Sequence, residues 1–140
     1  MKIDIEYLAR VLEIFTDSEE AHVYLCDVYK PLCGNEVDDK FLFHYALIVE
    51  NGLVSRRDLT IGNFDKMGVS YSLDGSIFIT NLPLRLTQNG LNFASALNNR
   101  EVLNKLKIGF KEAPFKTLFE GSQQLLTHFF KKKIDSLTDE

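Results

Sequence analysis

The chain has 140 residues, 45% of them hydrophobic and 11% aromatic, and a net charge of −4. That is enough apolar material to fill one core and too much for a disordered chain. No apolar run is long enough to cross a bilayer, the start MKIDIEYLAR lacks a signal peptide's apolar core, and two cysteines make no disulfide framework; a cytoplasmic protein without a membrane partner is expected.

The charge is unevenly spread. Residues 1–50 carry four basic against eleven acidic side chains, residues 51–99 four against three, and residues 100–140 eight against six. The acid is therefore concentrated in the first third.

In chain order, Asp4 is a candidate N-cap for a helix to about residue 15, with Ile5, Leu8, Leu12 and Phe15 on one apolar face. The β-rich run 22–29 (HVYLCDVY) predicts a short edge strand. Pro31 and Gly34 punctuate a segment that holds either a short helix or only a turn. Asn35 or Asp38 then caps a helix in which Phe41, Tyr45 and Ile48 share a face. Asn51-Gly52 stops that helix, because glycine tolerates the left-handed conformation of helix ends, and Leu53-Val54 continue as a strand.

Residues 58–75 hold three glycines and no helical period, which predicts a surface loop, the wing or its approach. Residues 76–86 predict a strand broken near Asn81 and Pro83, at an edge or a bulge, since proline donates nothing to a ladder. Thr87 is an N-cap for a helix over 88–107, with Leu91, Ala94, Leu97, Val102, Leu103 and Leu106 available for burial; Asn98-Asn99 kinks or splits it. After Gly109 and Pro114, the residues Phe115, Leu118, Phe119, Leu125, Leu126, Phe129 and Phe130 recur at helical spacing. Gly121 weakens the middle of that helix by roughly 1 kcal/mol relative to alanine. The terminal LTDE is expected to fray.

A helix that ends at glycine and turns directly into a strand is the middle of a winged helix-turn-helix unit. The expected fold class is α+β, mainly helical: a winged helix with a two- or three-stranded β-wing over residues 1–112, and an amphipathic helix over 113–140 packed on it or on a second copy. Two stretches carry the likeness further. FHYALIVENGLV resembles the helix-to-strand corner, and PLRLTQNGLNFASALNNREVLNKLK the strand-to-helix passage, of a domain-of-unknown-function family of small winged-helix proteins common in bacterial genomes and prophages. Leu86, Thr87, Gly90, Phe93, Ala94 and Ala96 fit the family's passage, as does the start Met1-Lys2-x-Asp4; residues 59–75 have no counterpart. The resemblance implies the fold and supplies no activity.

Catalytic and metal chemistry have little to stand on. Cys26, Cys33, His22 and His44 are the only neighbouring metal-ligand types in the first third, with no paired spacing, and there is no nucleophile elbow or phosphate-cradling glycine loop. No catalytic residue, cofactor, metal or small-molecule substrate is expected. Duplex DNA is the usual partner of a winged helix, and His44, Arg56, Arg57 and Lys66 would be its contacts, with Lys105, Lys107 and Lys111 as additions. Against that, the groove-entering end of the third helix carries Asp38 and Asp39.

If Phe41, Tyr45 and Ile48 point inward, Leu42 and Phe43 lie nearer the outside, and with Asp38 and Asp39 they suit a protein partner; the alternative is that both are core. The stripe Phe115, Leu118, Phe119, Leu126, Phe129 and Phe130 packs on its own domain or forms a homodimer seam, with the homodimer slightly favoured. The functional expectation is a non-enzymatic interaction or regulatory module of mobile-element type acting through protein contacts, with a DNA-binding transcriptional regulator as the alternative.

Overall fold

The computed structural model describes residues 1–139. The element order is α1 (Ile5–Thr16), β1 (Val23–Tyr24), α2 (Leu25–Cys33), α3 (Asp39–Glu50), β2 (Val54–Arg56), β3 (Val69–Tyr71), β4 (Ile77–Ile79), β5 (Pro83–Leu86), α4 (Gln88–Leu97), α5 (Arg100–Gly109) and α6 (Phe115–Thr138). The fold is α+β and mainly helical. Strands β1, β5 and β2 form a three-stranded antiparallel sheet with β5 in the centre, and β3 pairs with β4 in a separate two-stranded hairpin.

Four helices begin where a side chain satisfies an orphan amide of the first turn. Asp4 accepts from the Tyr7 amide, Asp38 from Phe41, Thr87 from Gly90 and Asn99 from Val102. Asp38, not Asn35, is therefore the cap of α3. Asn99 resolves the break at Asn98-Asn99 as a split into α4 and α5, each about as long as its neighbour packing requires.

Three expectations need correction. The strand predicted over 22–29 is two residues long, and the rest is α2. Leu25, Val28 and Tyr29 are buried at helical spacing, and the first amides of α2 are satisfied from far along the chain. The Leu25 amide donates to the Leu82 carbonyl and the Cys26 amide to Asn81 Oδ1, both at 2.9 Å. The predicted loop 58–75 contains β3, with Met67 and Val69 fully buried. The broken strand 76–86 is two strands of different sheets. Pro83 stands at the first residue of the central strand, opposite Tyr24, where its missing N–H costs the ladder little.

The core joins α1, α2, α3, the sheet and α4 through Leu8, Leu12, Leu25, Phe41, Ile48 and Phe93, all fully buried. Leu91, expected to be available for burial, faces solvent. The first half of α6 packs on α4 and α5. Leu118 is buried, the rings of Phe115 and Phe119 meet Phe93 at 5.5 and 5.4 Å, and Gln123 Nε2 donates to the Asn92 carbonyl at 3.1 Å. Gly121 has its own reason here: a Cβ would fall 2.7 Å from the Phe110 ring that lies against it. Beyond Leu126 every residue of α6 except the half-buried Phe129 is exposed, and the helix runs to Thr138. Glu140, the end of the LTDE expected to fray, lies outside the described residues.

Candidate interaction surface: the free face of α3 and the β3–β4 hairpin

Helix α3 is almost entirely enclosed. Phe41, Leu42, His44, Tyr45, Ile48 and Val49 are buried, which leaves open to solvent Lys40, paired with Asp4, and one stripe: Asp39, Phe43, Ala46, Leu47 and Glu50. These recur at i, i+4, i+7, i+8 and i+11, one face of a helix. Its centre is apolar and a carboxylate stands at each end. Of the four residues expected to meet a protein partner, Asp39 and Phe43 lie on this face. Leu42 does not; at 7% exposure it belongs to the core. Asp38 is exposed but committed to capping the helix.

His44 is the clearest correction. Expected as a DNA contact, it is 0% exposed. Its Nδ1–H donates to the Lys40 carbonyl at 2.7 Å, and Nε2 accepts from the Asp4 amide at 2.9 Å. The ring also packs on Tyr7, with centroids 4.7 Å apart. Nδ1–H thus bonds within α3 and Nε2 ties α3 to the start of α1, and this arrangement requires the neutral imidazole. Burial drives its pKa below 6.5, outweighing the Lys40 carbonyl and Asp4, which favour the proton. Lys40 is also engaged, 3.0 Å from Asp4 and 4.8 Å above the Tyr7 ring. Burial opposes the Asp4 charge, but the Tyr7 amide and Lys40 outweigh it and hold the pKa below 3.8. Tyr7 Oη is buried without a partner among the described residues; burial first, then the Asp38 charge, push its pKa to about 12.

A stability consequence follows for His44. The unfolded imidazole takes a proton near 6.5, whereas the folded one cannot do so without setting two donors against each other. The contribution of His44 is therefore complete above that pH and is lost as pH falls from there toward the lower folded value. Urea midpoints measured from pH 7.5 to 5 should decline below about 6.5, and the decline should vanish in His44→Gln, whose side-chain amide has no proton to gain in that range.

The hairpin is fastened to the inner side of α3. Tyr45 Oη donates to the Met67 carbonyl at 2.7 Å, Tyr45 stacks on Phe64 at 5.8 Å, and Phe64 stacks on Tyr71 at 6.4 Å. At its root Gly68 has φ +97°, and a Cβ there would lie 2.6 Å from the Leu25 side chain and 2.8 Å from the Thr80 carbonyl, so only glycine fits. From this anchored root the hairpin projects an apolar surface: Tyr71 is 54% and Phe78 60% exposed, with Leu73 at the turn also exposed. Leu59, also exposed, sits at φ 73°, a left-handed conformation costly for a branched side chain. Between Lys66 and Arg85 the chain has no basic residue and one acid, Asp74.

Of the remaining candidates for a nucleic-acid contact, two lysines are engaged in ion pairs and Lys111 is exposed without one among the described residues. Arg57 and Lys66 are exposed and Arg56 half-buried. Of the additional lysines, Lys105 pairs with Glu101 at 3.3 Å and Lys107 with Glu6 at 3.1 Å. The metal-ligand types have packing roles instead: Cys33 Sγ donates to the Tyr29 carbonyl and Tyr29 Oη to Cys26 Sγ. Burial raises the Cys33 pKa, and among the described residues no three His, Cys, Asp or Glu side chains converge. No helix of the described residues is long and apolar enough to cross a membrane.

The stripe expected to form a dimer seam divides in two. Phe115, Leu118 and Phe119 are used within the chain, against α4, and Leu126 is half-buried; only Phe129 and Phe130 lie on the projecting half of α6, with Phe130 49% exposed. The sequence reading missed Tyr71, Leu73 and Phe78 because it read the first two as a loop. The alternation Val69-Ser70-Tyr71 and the β-branched and aromatic run 77–79 were the available signal. No protein-family model, curated protein or solved structure matches the chain.

Proposed function

We propose that this chain is a winged helix-turn-helix protein of mobile-element type that works without catalysis, by protein contact through the free face of α3 and the β3–β4 hairpin. The order helix, strand, helix, helix, strand, hairpin, strand supports the winged-helix reading, as does a sheet in which β5 lies between β1 and β2. In that reading α3 is the helix that a DNA-binding relative would place in the major groove, and the hairpin is the wing.

The carrying observation is the chemistry of α3's open stripe. Reading base edges takes Arg, Lys, Asn, Gln, Ser or Thr; the stripe offers Phe43, Ala46 and Leu47 between Asp39 and Glu50. Phosphates are bound by cations, and the hairpin has none between Lys66 and Arg85. A surface with an apolar centre and an acidic rim fits instead an apolar protein patch flanked by basic side chains. The alternative, a DNA-binding regulator, is left with Arg56, Arg57 and Lys66.

The test is capture of partners from an extract of the native host with the immobilised full-length protein. A protein retained by the wild type and by Arg56→Ala/Arg57→Ala, but not by Phe43→Glu/Leu47→Glu, supports this function. Retention that survives the α3 substitutions and is lost with the arginines contradicts it. The exposed Phe130 on α6 supports, as part of the same proposal, a second role for that helix in self-association.

A further inference from the structure

The last twelve residues of α6, 127–138, project beyond the body as roughly 18 Å of helix. Phe130, Ile134 and Leu137, all exposed, share one face of this tail at i, i+4 and i+7, with the half-buried Phe129 beside them. Lys131 and Lys133 stand to either side of the face, and Lys132 lies on the opposite side of the helix. Among the described residues these three lysines make no ion pair; the four pairs present use Lys2, Lys40, Lys105 and Lys107. An apolar stripe with free cations at its edges is left without a partner inside its own chain.

A complementary surface lies on α1 and α2. A groove of about 450 Å³ opens between the end of α1 and the β1–α2 segment. Ile14 and Val23 lie in it, the exposed Tyr24 stands at its side, and Glu19, Glu20 and Asp27 supply its carboxylates. A smaller recess of about 190 Å³ shares Ile14 and adds Glu13 and Asp17 opposite Arg10. Apolar groups with acids around them match an apolar stripe with lysines around it.

We propose that the α6 tail of one copy docks in the α1–α2 groove of a second copy. The tail does not occupy the groove of its own chain, since every residue of 127–138 except Phe129 is exposed. A seam of tail against tail would bring Lys131 and Lys133 of both copies to its edges, and like charges close together repel. Docking in the groove instead brings Lys131 and Lys133 to carboxylates and covers Phe130 and Ile134. The inference rests on the reading of α6 as a self-association helix and names where that helix goes.

The experiment is the solution mass of the full-length protein by light scattering over a concentration series, for the wild type and two charge-reversed variants: Lys131→Glu/Lys132→Glu/Lys133→Glu, and Glu19→Lys/Glu20→Lys/Asp27→Lys. All six side chains are exposed, and far-UV circular dichroism verifies that each variant is folded. The wild type should exceed the 16.0 kDa of one chain, each variant alone should return to that mass, and an equimolar mixture of the two should associate again, since each restores what the other lacks. Phe130→Ser, which leaves every charge in place, should also be monomeric. An associating wild type whose two variants fail to recombine overturns the groove as the docking site while leaving self-association intact. A wild type that is monomeric throughout overturns both. Association that survives both charge reversals and is lost only in Phe130→Ser would establish an apolar tail-to-tail seam and overturn the proposal.

Discussion

Gly90→Ala destabilises the protein by about 3 kcal/mol or more, a loss of roughly 10 °C in Tm for a domain of this size. Gly90 lies in the first turn of α4, where the helix meets the corner between α3 and β2. A Cβ at this position would overlap the Leu53 carbonyl oxygen and stand 3.0 Å from its carbon and 3.2 Å from Leu86 Cβ. The obstacle is backbone, which cannot swing aside as a flexible side chain would. That same carbonyl accepts from the Thr87 amide at 3.0 Å, and Thr87 Oγ1 donates to the Gly52 carbonyl at 2.6 Å while capping Gly90. Moving Leu53 therefore disturbs the strand, the cap and the αL residue Gly52 together. Gly109→Ala is the control. Nothing lies within 4 Å of its added methyl, and the substitution should stabilise by about 0.5–1 kcal/mol through helix propensity alone. Thermal melts of the two variants beside the wild type check both signs at once.

The second large effect is on binding. Phe43→Glu with Leu47→Glu should weaken the protein partner's affinity at least about 30-fold, corresponding to about 2 kcal/mol, because truncating or charging the apolar centre of an interface removes its main energetic anchor. The substitutions also place two more carboxylates between Asp39 and Glu50, so a partner that brings basic groups to the rim keeps its long-range attraction but loses its contact area. The expected signature is a faster dissociation rate with a nearly unchanged association rate. Both positions are only half-buried, and unchanged circular dichroism would separate lost binding from lost folding. Equal dissociation rates for the variant and the wild type would remove α3 from the interface.

How much of this was legible in the sequence depended on whether the cause was local. The caps Asp4, Asp38 and Thr87, the stop at Asn51-Gly52 and the burial of Phe41, Tyr45 and Ile48 are set by neighbours within a turn or two, and the sequence reading found them. Helix α2 was lost because its strand-like residues are held helical by Leu82 and Asn81, more than fifty residues away. The hairpin was lost for a related reason: β3 is defined by pairing with β4 and by the stack of Tyr45, Phe64 and Tyr71, and three glycines masked its short alternation. His44 looked available because a histidine on a helix carries no local sign of burial. Only the fold brings the Asp4 amide to its Nε2. The open stripe of α3 was half visible. Phe43 was placed on it by the helical period, whereas Leu42 at the adjoining position needed knowledge of which neighbours enclose the helix.

The most direct test of protein contact as the mode of action is retention of random duplex DNA by the full-length protein at low and at physiological salt, with Arg56→Ala/Arg57→Ala run beside it. An apolar, acid-rimmed α3 face and a hairpin without cations predict no retention at either salt concentration and no difference between the variant and the wild type. Retention at low salt that falls steeply as salt rises, and that disappears with the two arginines, would contradict the account and make the molecule a DNA-binding protein.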